Sequence, residues 1–111
     1  MECIFCKIAR KETPADIVAE GENWLAFRDI NPQAPTHILV IPKQHWQSVQ
    51  DAPNLQQLGE ILSASTQVAR QEGLHERGYR LVINSGAEAG QTIFHLHVHV
   101  LGGRPLHWPP G

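Results

Sequence analysis

The sequence predicts an α+β domain with about five mostly antiparallel strands, one long helix and one short helix. Three observations lead to this prediction. The 111 residues suffice for one compact domain and are too few for two of ordinary size. Residues 55–69 carry apolar side chains at three- and four-residue spacing, which indicates an amphipathic helix. Other apolar segments are short and bounded by glycine, proline or asparagine, which is typical of strands.

The first elements are a short helix and a hairpin. Residues 3–10 have the apolar spacing of one or two helical turns, and Pro14 limits their extension. Residues 17–19 and 24–27 flank Gly-Glu-Asn, so we expect two strands joined by a tight turn. Residues 31–35 contain two prolines and are expected to form an ordered loop.

A third strand and the long helix follow. Residues 36–41 are apolar, rich in β-branched side chains and end at Pro42, so we expect a strand that is buried on both faces or nearly so. The helix that begins near residue 55 is expected to end at Gly73, because glycine readily adopts the backbone conformation of a helix C-terminus.

The last third of the chain predicts two more strands. Residues 79–84 and 92–101 form the fourth and fifth strands, joined by a glycine-bounded turn at 85–90. We expect residues 102–111 to form an irregular tail. Residues 1–111 are expected to form a single domain that includes this tail.

Composition excludes several classes of protein. With 9 Lys+Arg against 11 Asp+Glu the formal net charge is −2, so the chain lacks the excess of positive charge typical of proteins that bind nucleic acid polymers. No apolar run approaches the ~20 residues of a membrane span, and the N-terminus has no secretory-signal pattern. Two cysteines make no disulfide framework. We therefore expect a cytoplasmic protein with reduced thiols, no membrane segment and no nucleic acid polymer as partner.

Three of the seven histidines, His95, His97 and His99, alternate with apolar residues. Because side chains alternate between the two faces of a strand, the three imidazoles are expected to share one face. The opposite face would then carry the apolar side chains of Phe94, Leu96, Val98 and Val100.

Chemistry alone leaves three interpretations of this histidine row. The imidazoles form the polar side of an exposed strand, contribute to a metal site, or perform covalent catalysis with the central imidazole as nucleophile. A cage made of all three is disfavoured, because the outer two lie about 13 Å apart at strand rise while Zn–N bonds are about 2 Å.

The run at 91–101 resembles the His-φ-His-φ-His-φ-φ signature of the histidine triad (HIT) superfamily. Other parts of the chain are similar to its Hint branch, the purine nucleoside phosphoramidases; they are residues 3–8, 25–30, 32–37, 41–43 and 106–111. This resemblance covers almost the whole chain. It implies a HIT-like fold and a two-fold homodimer.

The resemblance also implies an activity, the cleavage of the P–N bond of purine nucleoside 5′-phosphoramidates. His97 would attack the α-phosphorus and expel an amine, and water would then release AMP or GMP from the nucleotidyl-histidine intermediate. His95 and His99 would support the phosphoryl oxygens and the orientation of His97, and His37 would back the triad. Thr92 stands where this branch carries a serine whose hydroxyl contacts the leaving-group side.

Two alternatives to this activity stay open. The chain is a non-catalytic nucleotide-binding scaffold dimer, or it is a dinucleoside polyphosphate hydrolase of another triad branch. The tail that ends in His107-Trp108-Pro109-Pro110-Gly111 weighs against the second.

The resemblance assigns a nucleotide site. Asp29 would accept both ribose hydroxyls, although an Asx turn ahead of Pro32 is the alternative. The tail residue Trp108 would approach the active site of the partner subunit, with a frayed terminus as the alternative. An apolar slot for the purine ring, whose members are also ordinary core residues, would consist of Phe5, Ile8, Phe27 and Ile30. The α-phosphate would lie against His97, His99, Asn84 and the backbone amides of Gly90, Gln91 and Thr92.

Some members of the superfamily bind a structural zinc ion. They use an N-terminal Cys-x-x-Cys, a histidine after the Ile-Pro-Lys segment and the first triad histidine. The matching residues here are Cys3, Cys6, His45 and His95, a donor set suited to tetrahedral zinc. Packed thiols with a surface His45 are the alternative. The resemblance thus implies structural zinc, while the chemistry itself requires no cofactor.

Overall fold

The computed structural model describes residues 3–111. They form two α-helices, five strands and two short 3₁₀ turns, at Val49–Asp51 and Ala87–Ala89. The helices are α1 (Ile4–Ala9) and α2 (Leu55–Gln71). The strands are β1 (Ile17–Glu20), β2 (Trp24–Arg28), β3 (Thr36–Pro42), β4 (Tyr79–Val82) and β5 (Val98–Gly102).

The strands form one sheet in the order β1-β2-β3-β5-β4, and every neighbouring pair is antiparallel. The predicted α+β class with a five-stranded antiparallel sheet is therefore confirmed. β3 is central, and its Leu39 lies opposite His99 of β5. This register places the end of the histidine row over the middle of the sheet.

α2 covers one face of the sheet. The helix begins where Asn54 Oδ1 accepts a hydrogen bond from Gln57 N at 2.8 Å, and it ends just before Gly73, whose φ is 76°. Ile61 and Val68 of α2 are almost completely buried against the sheet. Burial of each of these side chains stabilises the fold by about 1.5–3 kcal/mol. Leu55, in the first turn, lies in solvent.

α1 covers part of the opposite face. Its Phe5 and Ile8 pack with Leu25, Phe27 and other apolar residues of β2 and β3, and the rings of Phe5 and Phe27 meet edge to face with centroids 5.4 Å apart. Proline and solvent-exposed polar residues follow the helix, which accounts for its short length. The sheet thus lies between two helices of unequal length.

The prediction for the fifth strand was wrong at its start, since β5 begins at Val98 and not at residue 92. Opposite the missing part, β3 ends at Pro42, which has no N–H to donate to a strand ladder. Phe94 was also placed wrongly, because it is exposed and does not face the core. The fourth strand is shorter than predicted and ends at Val82.

The turn between these strands matches its prediction. Gly86 and Gly90 bound a 3₁₀ turn and have φ values of 90° and 92°, a region that favours glycine. Within residues 3–111, no helix is long and apolar enough to cross a membrane.

Candidate active site and metal centre

Two cysteines and two histidines converge beside α1. Cys3 is the N-cap residue of α1 and Cys6 lies in its first turns, while His45 follows β3 and His95 precedes β5. Cys3 Sγ lies 3.4 Å from His95 Nδ1, and Cys6 Sγ lies 3.3 Å from His45 Nδ1. The four ligand atoms all lie within 4.8 Å of one another. The structure brings together every residue that was predicted to bind zinc.

The spacing of these atoms fits a tetrahedral metal ion. With Zn–N bonds of about 2.05 Å and Zn–S bonds of about 2.3 Å, the edges of the tetrahedron are about 3.4 Å between nitrogens and about 3.6 Å between nitrogen and sulfur. His45 Nδ1 and His95 Nδ1 are 3.2 Å apart, and Cys6 Sγ lies 3.6 Å from His95 Nδ1. These distances, together with 3.4 Å from Cys3 Sγ to His95 Nδ1 and 3.3 Å from Cys6 Sγ to His45 Nδ1, are compatible with zinc.

His95 is also in the right tautomer to bind a metal through Nδ1. Its Nε2–H donates to the carbonyl of Pro42 at 2.8 Å, which leaves the lone pair of Nδ1 directed at the cysteines. Burial lowers the pKa of His95 to about 4, so the ring is neutral near pH 7. A neutral imidazole is the form that coordinates a metal.

One ring nitrogen of His97, Nε2, has no hydrogen-bond partner within residues 3–111. Its Nδ1 lies 2.8 Å from the backbone carbonyl of His95, and since a carbonyl only accepts, Nδ1 carries the proton. In the neutral ring Nε2 then has a lone pair and no proton. The ring is half-buried, edge to face with Phe5 at 5.2 Å and beside His99 at 5.0 Å between centroids. The alternation of histidines with apolar residues predicts that the rings of His97 and His99 are neighbours on one face.

A chain of hydrogen bonds fixes the proton positions of His37 and His99. The backbone N–H of Gln33 donates to His37 Nδ1 at 3.0 Å. The proton of a neutral His37 is therefore on Nε2, which donates to His99 Nδ1 at 2.9 Å. The proton of His99 must then be on Nε2, a buried atom that has no hydrogen-bond partner within residues 3–111. An unsatisfied donor of this kind costs about 1–3 kcal/mol until an acceptor arrives.

Burial keeps these rings uncharged. Burial, with smaller contributions from the neighbouring His97 and His37, lowers the pKa of His99 to about 4. Burial also lowers the pKa of His37, although the carboxylate of Asp29 opposes that shift. The tautomers of His37 and His99 described above are those of neutral rings, so they hold near pH 7.

Asp29, His37 and His99 form a second group whose ligand atoms lie within 4.8 Å of one another. The hydrogen bond from Gln33 argues against a metal ion there. An imidazole that binds a metal through Nε2 keeps its proton on Nδ1, but Nδ1 of His37 accepts the backbone N–H of Gln33. This group is a hydrogen-bond relay.

The predicted ribose ligand, Asp29, makes two contacts in the structure. Its Oδ1 accepts from Asn31 N at 2.8 Å, which is the Asx turn considered as an alternative, and its Oδ2 lies 3.4 Å from His37 Nε2. Its side chain is 20% exposed, so the carboxylate is still reachable from solvent. Ile30, next along the chain, is fully exposed and lies apart from the apolar cluster. The other three members of the predicted purine slot pack together in that cluster: Phe5, Ile8 and Phe27.

The loop before His95 is held by the side chain of Gln91. This buried amide donates from Nε2 to the carbonyl of Gln47 at 2.7 Å and accepts the N–H of Gly86 at Oε1 at 2.9 Å. The backbone amides of Gly90 and Gln91 already donate within the loop, to Ala87 and Gly86. Thr92 is exposed at the end of this loop.

Arginine side chains anchor the C-terminal tail. Arg80 of β4 donates to the carbonyl of His107 at 2.9 Å, and Arg104 donates to the carbonyl of Gln33 at 2.9 Å. Trp108 is 80% exposed. The tail is thus tied to the domain while its tryptophan faces solvent.

Sequence reasoning missed the backbone groups that set the histidine tautomers, namely the N–H of Gln33 and the carbonyls of Pro42 and His95. Every residue type supplies such groups, so only the folded chain identifies them.

Comparisons with known proteins agree with this geometry. Residues 10–106 match the model of the HIT domain family. The chain is 56% identical to an uncharacterized HIT-like protein of Synechococcus elongatus, with 99% of this chain and 97% of that protein covered. It is 52% identical to a 14 kDa zinc-binding protein of Zea mays, with 97% and 87% covered. It is 50% identical to a purine nucleoside phosphoramidase of Escherichia coli, with 95% and 90% covered.

A solved structure shows the same arrangement of the backbone. The crystal structure of a HIT family hydrolase from Legionella pneumophila aligns with a TM-score of 0.95 at 51% sequence identity, and the alignment covers 99% of this chain and 100% of that one.

Proposed function

This chain belongs to the HIT domain family, and we propose that it cleaves the P–N bond of purine nucleoside 5′-phosphoramidates and releases AMP or GMP. Relatives of this chain include a hydrolase and a purine nucleoside phosphoramidase. The observation that carries the proposal is the pairing of a free nucleophilic nitrogen on His97 with an unsatisfied donor on the adjacent His99.

In the first step, Nε2 of His97 uses its lone pair to attack the α-phosphorus. The P–N bond breaks, its electron pair leaves with the amine, and the amine takes up a proton from solvent water. A positive charge develops on the imidazole, and the hydrogen bond from Nδ1–H to the carbonyl of His95 becomes stronger as it does. In the second step water attacks the phosphorus and gives up a proton to solvent, and His97 leaves as a neutral imidazole.

His99 stabilises the negative charge on the phosphoryl oxygens. Its Nε2–H is buried and lacks an acceptor within residues 3–111, and a non-bridging oxygen provides one once the groups that cover this nitrogen move aside on substrate binding. The relay from Gln33 through His37 holds this proton on Nε2 before substrate arrives. A donor fixed in advance contributes more than one that must reorient during the reaction.

The remaining predicted contacts complete the proposed nucleotide site. Asp29 has a carboxylate that is open to solvent for the ribose hydroxyls. Asn84 and the N–H of Thr92 lie at the ends of the loop that would surround the α-phosphate, and the hydroxyl of Thr92 lies on the leaving-group side. Ile30 is exposed and available to contact the purine ring. Trp108 is exposed and available to approach the site of a partner subunit. We propose a two-fold homodimer on this basis.

We also propose that Cys3, Cys6, His45 and His95 hold a structural zinc ion. When bound, zinc supplies a cross-link between α1, the end of β3 and the segment before β5. The 14 kDa zinc-binding protein of Zea mays, 52% identical to this chain, supports this assignment.

The experiment that tests the proposed function compares His97→Ala with the wild-type protein on adenosine 5′-phosphoramidate. Removal of the nucleophile is expected to abolish turnover, with an unchanged circular dichroism spectrum. His75→Ala is the matched control, because His75 is an exposed histidine outside the site. Turnover by His97→Ala at the wild-type rate would contradict the mechanism.

A further inference from the structure

Hydrogen bonds of one residue, His95, join the thiol–imidazole cluster to the proposed nucleophile. The side chain of His95 has its Nδ1 3.4 Å from Cys3 Sγ and 3.2 Å from His45 Nδ1. Its backbone carbonyl accepts the hydrogen bond of His97 Nδ1 at 2.8 Å. The residue that completes the cluster therefore also carries the atom that fixes the tautomer of His97.

The peptide at His95 is held by contacts outside the sheet ladder, which extends only to Val98 on this strand. The N–H of the following residue donates to the carbonyl of Trp46 at 2.6 Å. His95 Nε2–H donates to the carbonyl of Pro42 at 2.8 Å. Both acceptors lie close in sequence to His45, another member of the cluster.

We propose that His95 is a positioning residue that couples occupancy of the cluster to the tautomer and direction of His97. With Zn²⁺ bound, the ring of His95 is fixed at both nitrogens, and its carbonyl stays directed at His97 Nδ1. Without the ion the Zn–N bond is absent, and the ring and its peptide are held only by the hydrogen bonds to Pro42 and Trp46 and by weaker contacts of Nδ1 with the thiols and His45. The carbonyl of His95 then holds His97 Nδ1 for only part of the time, so the proton of His97 is no longer confined to Nδ1.

The coupling acts on the chemical step more than on nucleotide binding. Asp29, the proposed ribose ligand, accepts from Asn31 and lies beside His37, and neither is a cluster residue. Phe5 of the proposed purine slot lies between the two cysteines and packs edge to face with His95 at 5.9 Å between centroids. Loss of the metal is therefore expected to lower kcat, while KM and the Kd for AMP change only as far as Phe5 moves with α1. Loss of a contact that orients a functional ligand lowers activity by about 10–100-fold in metal sites, and we expect that range here.

The test uses the full chain in three states: as purified, stripped of metal by a chelator, and reloaded with Zn²⁺ alone. Imidazole ¹⁵N chemical shifts report the tautomer of His97 directly, with His97→Gln as the assignment variant. We expect a single Nδ1–H tautomer with Zn²⁺ and a mixture without it, together with a kcat that falls on stripping and returns on reloading. Cys6→Ser and His45→Ala are expected to match the stripped protein, and His75→Ala the wild type.

Several results would overturn the coupling: one His97 tautomer in all three states, no binding of Zn²⁺ by the wild-type chain, or a change in KM with kcat intact. Loss of the helical circular dichroism signal on stripping would also overturn it, since zinc would then be a requirement for folding. The kinetic readout rests on the proposed function, but the tautomer readout does not. A tautomer that responds to Zn²⁺ in a protein that hydrolyses no phosphoramidate would support the coupling and contradict the proposed function.

Discussion

The substitution His37→Phe tests the relay that prepares His99 for the phosphoryl group. Phenylalanine has a similar ring but no nitrogen, so His99 Nδ1 loses the N–H that it accepts at 2.9 Å. The proton of the neutral His99 ring is then free to move to Nδ1, which turns Nε2 from a donor into an acceptor facing the phosphoryl oxygens. Loss of one preorganised donor lowers kcat by about 10²–10³, and we expect a loss in that range.

The same substitution also has a predictable effect on stability. The N–H of Gln33 loses its acceptor, His37 Nδ1, which costs about 1–3 kcal/mol where water does not replace it. A loss of 1 kcal/mol lowers Tm by roughly 4 °C in a domain of this size. Single-turnover hydrolysis of adenosine 5′-phosphoramidate, measured well below Tm, separates the two effects.

The relay would be refuted by a His37→Phe protein that melts cooperatively, binds AMP and keeps kcat within threefold of the wild-type value. His75→Phe provides the matched control, because the same exchange at an exposed histidine leaves the site untouched. A loss of activity in both variants would point to a general effect of the aromatic ring.

Three further predictions concern stability and assembly. The folded pKa of His99, about 4, lies below its ordinary value of 6.5, so the unfolded chain takes up the proton first. His99 therefore contributes a loss of about 2 kcal/mol of unfolding free energy between pH 7.5 and pH 5, and in urea titrations His99→Gln should lose that much less than the wild type, while the contribution of His95 remains. Ile61→Ala should cost about 2–5 kcal/mol by urea titration and leave kcat unchanged, and a lower kcat in the folded variant would contradict the packing role. Light scattering should give a dimer mass, and a monomer mass at assay concentration would exclude the partner role of Trp108.

The sequence predicted secondary structure and neighbouring side chains correctly where the spacing of residues matches the repeat of a helix or a strand. The three- and four-residue spacing of Ile61, Ser65 and Val68 predicted α2, because those positions share one face of a helix. The alternation at His97 and His99 predicted neighbouring rings, and their centroids are 5.0 Å apart. The family resemblance added the Cys₂His₂ cluster, which spacing along the chain does not define, since its members come from three separate segments.

The sequence was less informative where backbone geometry determines the end of a strand or the tautomer of a histidine. Phe94 fits the apolar side of an ideal strand. However, β3 ends at Pro42 and its pairing with β5 begins only at Val98, so the segment that contains Phe94 lies outside the sheet. The tautomer of His37 depends on the N–H of Gln33, four residues earlier in the loop that contains Pro32 and Pro35. Side-chain identity carries no information on such contacts, because every residue except proline supplies the same N–H group.

The central claim is that His97 carries the nucleotide during turnover. Its most direct test is mass spectrometry of the wild-type protein, quenched within one turnover after mixing with adenosine 5′-phosphoramidate and digested under conditions that preserve the P–N bond. We expect one adenylyl group, located on His97, and none in the His97→Ala protein. An adenylyl group on His95 or His99, or full turnover with no adduct at any time point, would contradict the account.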